Sequence, residues 1–263
     1  MAEPPNTPRV LLVVATLGER PEYLRETLTS IRSQSVPTTI VIVTPTGKQA
    51  VVQLADEFGC LLVPDPGSLT AAINAGVEQA WDGHEFINWL NDDDLLEPGS
   101  LEATTSLLDA DPTCVCAYGA CRYIDDVGRE LWVNRAGPWA KRILGWGPDL
   151  IPQPGMLVRA DAWRIEGGVD ETYRFAFDLD LLLRLRQHGE LRDTGRIVSA
   201  FRWHADSLTV GDRTRSLEES ERAKRRALDP RVRKVAWLWE KPVRGATRLA
   251  ARQVSRRARR AAR

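Results

Sequence analysis

Three consecutive carboxylates, Asp92, Asp93 and Asp94, follow the apolar residues Trp89-Leu90 and the amide Asn91. Adjacent carboxylates repel one another, so such a run is costly unless a cation or hydrogen-bond donors sit among them. Hard oxygen ligands at a strand end, completed by substrate phosphates, are what Mg²⁺ or Mn²⁺ selects. The same residues also suit a solvated acidic turn in which Asp94 caps the next helix. A second acidic pair lies in Phe177-Asp-Leu-Asp-Leu181. On a helix, residues i and i+2 point about 200° apart, so Asp178 and Asp180 cannot both face one pocket. Asp180 stands four residues before Arg184, the spacing of a helical ion pair. That leaves Asp178, at the helix start, as a cap or as a proton acceptor. His204 closes Phe201-Arg-Trp-His204 with Arg202 on the same strand face, where a histidine suits either a packed position or a site.

The elements around these residues alternate. Val10–Ala15 reads as a buried strand and 21–33 as a helix with Pro21 at an early position. Strands at 39–43, 60–63 and 85–90 follow, separated by helices at 48–58 and 69–80. Strands spaced by helices imply a parallel sheet whose ligands gather at the carboxyl ends of the strands. Beyond Leu90 the order changes to a helix near 99–109, strands near 115–123, 130–133 and 156–159, a helix at 178–188 and a strand at 197–203. This half is expected to complete the same sheet. A Trp/Gly/Pro-rich connection runs through Trp139 and Trp146, and from about Thr214 the pattern is helical and rich in Arg and Ala.

Composition is that of an ordinary globular protein, with 43% apolar and 27% charged residues and no run long enough to span a bilayer. Met1 to Pro8 has neither the basic start nor the apolar run of a secretory signal, which points to the cytoplasm. Cys60, Cys114, Cys116 and Cys121 lack zinc-site spacing and read as small core residues. The formal net charge of zero hides a division. Residues 222–263 carry 16 of the 36 Lys and Arg against Asp229 and Glu240 alone, a local net of +14, which leaves −14 on the remainder. Trp237-Leu-Trp239, Val243, Leu249 and Val254 among arginines 244, 248, 252, 256, 257, 259 and 260 suit the surface of an anionic membrane through 231–263. Nucleic acid is the less favoured polyanion.

Val10 to about Thr209 resembles the family-two glycosyltransferases of GT-A fold, on motifs in that family's order. Ala15-Thr-Leu-Gly-Glu-Arg20 is similar to the first-strand motif, Leu69-Thr-Ala-Ala-Ile-Asn-Ala-Gly76 to the donor-side helix and 90–94 to the DXD segment. Ile151-Pro-Gln-Pro-Gly155, Gly167-Gly-Val-Asp170, Phe177–Leu181 and Phe201–His204 resemble the acceptor-side, general-base and late histidine motifs.

The resemblance implies an α/β fold: one GT-A domain with a mixed sheet over residues 8–210, divided into a nucleotide-binding half, 8–94, and an acceptor half, 95–210. A basic helical tail, 211–263, would follow. It implies donor contacts from Ala15, Thr16, Glu19, Asp65, Ala72, Asn74, Asp92 and Asp93. Mg²⁺ or Mn²⁺ would be held by Asp93 with Asn91 and His204, and Asp178 would be the general base.

The implied activity is inverting hexosyl transfer from a nucleotide-diphosphate sugar to an acceptor hydroxyl. With the basic tail, it points to a lipid-linked or cell-envelope glycan and to the inner face of the cell membrane. Three departures stand out: Asn91 where the first acid is common, Thr44-Pro-Thr-Gly47 where an Asp-rich loop is common, and Phe177 before the base. Asn91 keeps open a noncatalytic sugar- or nucleotide-binding protein of the same fold. A nucleotidyltransferase is disfavoured because Leu17-Gly-Glu-Arg20 is too short and acidic to cradle a triphosphate.

Overall fold

The computed structural model describes residues 8–135, 137–203 and 213–233. All its strands belong to one sheet, in the order β3-β2-β1-β4-β8-β6-β9-β5, with β7 paired to β6. The first four are β1 (Val10–Ala15), β2 (Thr38–Thr44), β3 (Leu61–Pro64) and β4 (Phe86–Asn91), all parallel. β1 runs between β2 and β4, so its residues are covered on both faces. Val10, Leu12 and Val14 enter one core cluster, and Leu11 and Val13 the other. This is why its sequence is a continuous apolar run rather than an alternating one.

Helices α1 (Pro21–Arg32), α2 (Gln49–Phe58) and α4 (Ser100–Ala110) cover the first face through Leu24, Leu28, Ile31, Val51, Leu54, Leu101 and Leu108. Helix α3 (Leu69–Ala80) covers the other with Ala72, Ile73 and Val77. Its Gly76 permits a close approach, since a Cβ there would lie 2.7 Å from Val13 Cγ1 and 3.0 Å from Val43 Cγ2. Ser68 caps the helix by accepting from the Ala71 amide at 3.2 Å.

The second half turns the sheet mixed. Strand β5 (Leu95–Leu96) pairs antiparallel with β9 (Glu190–Arg202), and β8 (Leu157–Arg159) lies antiparallel between β4 and β6 (Cys114–Ile124). β6 and β9 are parallel, and β7 (Glu130–Asn134) hangs antiparallel on β6. Short helices α5 (Ala140–Ile143) and α6 (Ala160–Glu166) precede α7 (Phe177–Leu185). α6 and α7 join α3 on its face of the sheet, where Trp89 of β4 lies 5.7 Å from Trp163 and 6.1 Å from Phe177. Trp163 is therefore core, whereas Trp139 and Trp146 are exposed.

After the sheet come α8 (Arg213–Ala227) and α9 (Pro230–Arg233). Residues 234–263, which carry most of the basic stretch, lie outside the described residues, as does His204. No described helix is long and apolar enough to cross a membrane. The four cysteines are free thiols, three of them buried. His84 is buried: it meets Thr39 Oγ1 at 2.8 Å, and its Nδ1 accepts from the Asp82 amide. His188 is partly exposed and pairs with Glu166.

Candidate donor site

A cavity of about 800 Å³ opens at the carboxyl ends of β1, β2, β3 and β4. Its wall includes Ala15, Thr16, Glu19, Asp65, Ala72, Asn91, Asp92 and Asp93 from the nucleotide-binding half. Glu171, Thr172, Tyr173, Arg174 and Phe201 close it from the other half. Asn74 is elsewhere. Its amide donates to the Val169 carbonyl at 2.9 Å and to Glu171 at 3.0 Å, and its Oδ1 accepts from the Val169 amide. It ties α3 to the 168–171 turn, where Gly168, at φ +79, leaves room that a Cβ would take 2.4 Å from Asn74 Oδ1. The contribution of Asn74 is thus to hold Glu171 at the cavity rim.

The three carboxylates have three different environments. Asp94 is fully buried; it accepts from Asn91 Nδ2 at 2.9 Å and from the Arg202 amide at 3.3 Å. Burial, then the neighbouring Asp93, holds its carboxyl well above the usual range. This explains the amide at position 91: an acid there would set another charge against a buried carboxyl, whereas Asn91 donates to it. Asp92 accepts from Thr16 Oγ1 at 2.5 Å, and burial raises its pKa against that hydrogen bond. Asp93 faces Arg20 at 3.6 Å. Its main chain is held by Arg202, only 1% exposed, whose Nε donates to the Asp93 carbonyl at 3.2 Å. The same guanidinium reaches the Asp125 and Asp126 carbonyls and Glu26, and stacks 4.3 Å from the Tyr23 ring. Arg202, read from sequence only as a neighbour of His204, is the cation that fixes the acidic turn.

Asp178 is not on the wall of this cavity. It lies in the first turn of α7, a few residues past the 171–174 segment that is, and its Oδ1 accepts from the Leu179 amide at 2.8 Å. Asp180 is buried and paired with Arg184 at 2.7 Å, and Arg184 also binds Glu166 and the Gly168 carbonyl. The face argument thus separates a structural acid from one with its carboxylate still available. Beside Asp178 stands Asp149, which lies in the Trp/Gly/Pro-rich connection where no periodicity marks a site. Burial raises Asp178 to about 6. Burial, then the charge of Asp178, raises Asp149 to about 7. The charge on Asp178 thus makes Asp149 the harder of the two to ionise.

Among the described residues, no group of three His, Cys, Asp or Glu converges to hold an ion. The donor set present, Asp93 with the Asn91 side chain beside it, therefore fits a divalent cation only when diphosphate oxygens complete the shell, the usual arrangement for Mg²⁺.

A mixed sheet with its acidic turn at the carboxyl end of the fourth parallel strand defines a GT-A nucleotide-sugar transferase fold. The profile of Glycosyl transferase family 2 matches residues 11–161, and the chain belongs to that family. It is 24% identical over 210 residues to an uncharacterized glycosyltransferase of Rickettsia typhi, covering 76% of this chain and 65% of that protein. A chondroitin synthase of Pasteurella multocida is 26% identical over 145 residues, which are 55% of this chain but 15% of the synthase. Among solved structures, S. aureus TarS residues 1–349 in complex with UDP-GlcNAc superposes with a TM-score of 0.65 at 14% identity, over 87% of this chain and 70% of that one.

Proposed function

We propose that the protein transfers a hexosyl group from a nucleotide-diphosphate sugar to an acceptor hydroxyl in a single displacement that inverts the anomeric carbon. The observation that carries this reading is the cavity that joins Thr16, Asp65, Asp92 and Asp93 at the strand ends to the 171–174 segment leading into Asp178. The relative crystallised with UDP-GlcNAc supports the donor class.

In this mechanism Asp178 takes the proton of the acceptor hydroxyl as the acceptor oxygen bonds to the anomeric carbon. The bond from that carbon to the diphosphate oxygen breaks, and the nucleotide diphosphate leaves with the electron pair. Asp93 and Asn91 would hold Mg²⁺ or Mn²⁺, with His204 added from outside the described residues, and an ion held there would supply positive charge toward the leaving diphosphate. Arg20 and Arg174, both on the wall, add positive charge at the same end. A thermal-shift screen of nucleotide sugars with and without Mn²⁺ tests the reading. One donor is expected to raise the melting temperature only with the metal present. No shift from any nucleotide sugar at millimolar concentration would overturn it.

The acceptor is proposed to be a lipid-linked or cell-envelope glycan, reached by peripheral association of 231–263 with an anionic membrane at its cytoplasmic face. The full chain is expected to sediment with anionic but not neutral vesicles and to be released by salt. A chain ending at Asp229, which retains α8, should stay in the supernatant. Equal partitioning of the two would remove the membrane role and the acceptor inference with it.

A further inference from the structure

Helix α8 follows the sheet and reads from sequence as the start of a basic tail. Its side chains are instead committed to the segment that carries the cavity wall into Asp178. The Glu219 carboxylate accepts from the amides of Arg174 at 3.0 Å, Phe175 at 2.7 Å and Ala176 at 3.1 Å. The Ala176 amide is at the N-cap of α7, where a helix leaves its donors without internal partners, the other two amides lead into it, and Ala176 offers no side-chain acceptor of its own. Arg222 donates to the Thr172 carbonyl at 2.8 Å and lies 4.0 Å from the Tyr173 ring. Arg226 pairs with Asp170 at 2.5 Å. Positions 219, 222 and 226 form one helical stripe, with Ala223, only 1% exposed, at its centre. Lys224 reaches the other way, donating to the Gly147 carbonyl at 2.5 Å, two residues before Asp149.

We infer that α8 is a positioning element of the active site, in which Glu219, Arg222 and Arg226 fix residues 170–176 ahead of Asp178 and Lys224, anchored on the Gly147 carbonyl, sets a cation near Asp149. The inference rests on the reading of Asp178 as the general base. Sequence separation makes the role easy to miss, because Glu219 and Ala176 are 43 residues apart.

The groups facing the carboxylate pair come from several elements. β6 contributes Tyr123, the connection the Ile151 amide at 3.1 Å from Asp149, and α7 the Leu179 amide, whereas Asp180 is turned away into its pair with Arg184. α8 contributes Lys224, with Glu221 near it. Lys224 favours the charged form of Asp149. Removing it leaves the repulsion between the carboxylates uncompensated and moves their titration to higher pH.

The sign for stability follows. A carboxyl pair whose folded pKa lies above the unfolded value makes the protein lose stability as pH rises, here from about 4 through the folded values near 6 and 7. Denaturant unfolding of the full chain from pH 5 to pH 8.5 is the test, and it needs no substrate. Lys224→Met is expected to lose more stability at pH 8 than at pH 5, with the titration midpoint displaced upward by about one unit. Lys224→Arg should restore the wild-type profile, and Asp149→Asn should remove the upper part of the pH dependence and the difference that Lys224→Met makes, leaving the part Asp178 contributes through about 6.

A loss of equal size at every pH would reduce Lys224 to its hydrogen bond with Gly147 and overturn the tuning role. Should Lys224→Met fail to fold, the Lys224→Arg and Asp149→Asn profiles still decide, since identical pH slopes in Asp149→Asn and wild type would overturn it. For Glu219→Gln, amide hydrogen exchange is expected to speed up at 174–176 and not in the β1–β4 core; unchanged exchange there would overturn the clamp. These outcomes are separate from the base assignment, which an active Asp178→Asn enzyme alone would remove.

Discussion

Asp178→Asn is expected to lower sugar transfer by about two to four orders of magnitude, the range for loss of a general base, with donor binding intact. The separation of effects follows from placement. Asp178 lies at the start of α7, off the cavity wall formed by Thr16, Asp65, Asp92 and Asp93. The amide cannot accept the acceptor proton, and it also removes one member of a half-buried acidic pair. Because that pair titrates above the unfolded carboxylate value, its ionised form costs stability at alkaline pH. The inactive variant should therefore melt above wild type at pH 8, which distinguishes lost chemistry from lost fold. In the wild type, transfer should fall as pH drops through about 6, where Asp178 takes up its proton. Single-turnover release of sugar from the donor identified by thermal shift, followed from pH 5 to pH 9, measures both effects. Asp180→Asn should instead destabilise, since it breaks the 2.7 Å pair with Arg184 inside the core. A dead but well-folded Asp180→Asn beside an active Asp178→Asn would reverse the two roles.

The nucleotide-binding half was legible because its strands are short and apolar, with β1, β2 and β4 covered on both faces, and its helices carry caps or proline starts. The reading of 10–15 as a strand and 69–80 as a helix coincides with β1 and α3, and neighbouring ends differ by a residue or two. Legibility failed where local pattern and tertiary role part. The strand expected at 197–203 is the second half of β9, whose first half, Glu190–Arg196, is too exposed and polar to show an apolar run. β5 is two residues long, and α6 follows β8 without a break. Asp149 was invisible for the same reason, lying in an aperiodic stretch, and only its neighbours give it meaning. For α8, charge density reads from sequence as the start of the basic helical tail at 211–263. Its arginines face Asp170, Thr172 and Tyr173, so a boundary drawn at residue 210 cuts through contacts that bear on the site.

Asp93→Ala is expected to abolish metal-dependent donor binding and, with it, transfer. Asp94 is buried and holds the turn, and Asp92 is engaged by Thr16, so Asp93 is the carboxylate of the run best placed to meet a cation at the cavity. Its present partner, Arg20 at 3.6 Å, would be left to bind diphosphate without an ion, and a single guanidinium does not replace a divalent charge. Asn91→Ala should behave differently. The amide brings no charge to the ion, but its Nδ2 donates to the buried Asp94 carboxyl, which the alanine would leave short of a donor. A stability loss of about 1–3 kcal/mol, with only partial loss of transfer, is the expected outcome. Isothermal titration of the nucleotide sugar with and without Mn²⁺, paired with denaturant unfolding, separates the two variants. Wild-type donor affinity in Asp93→Ala with metal present would falsify the assignment and move the ion, if the enzyme uses one, to another part of the cavity.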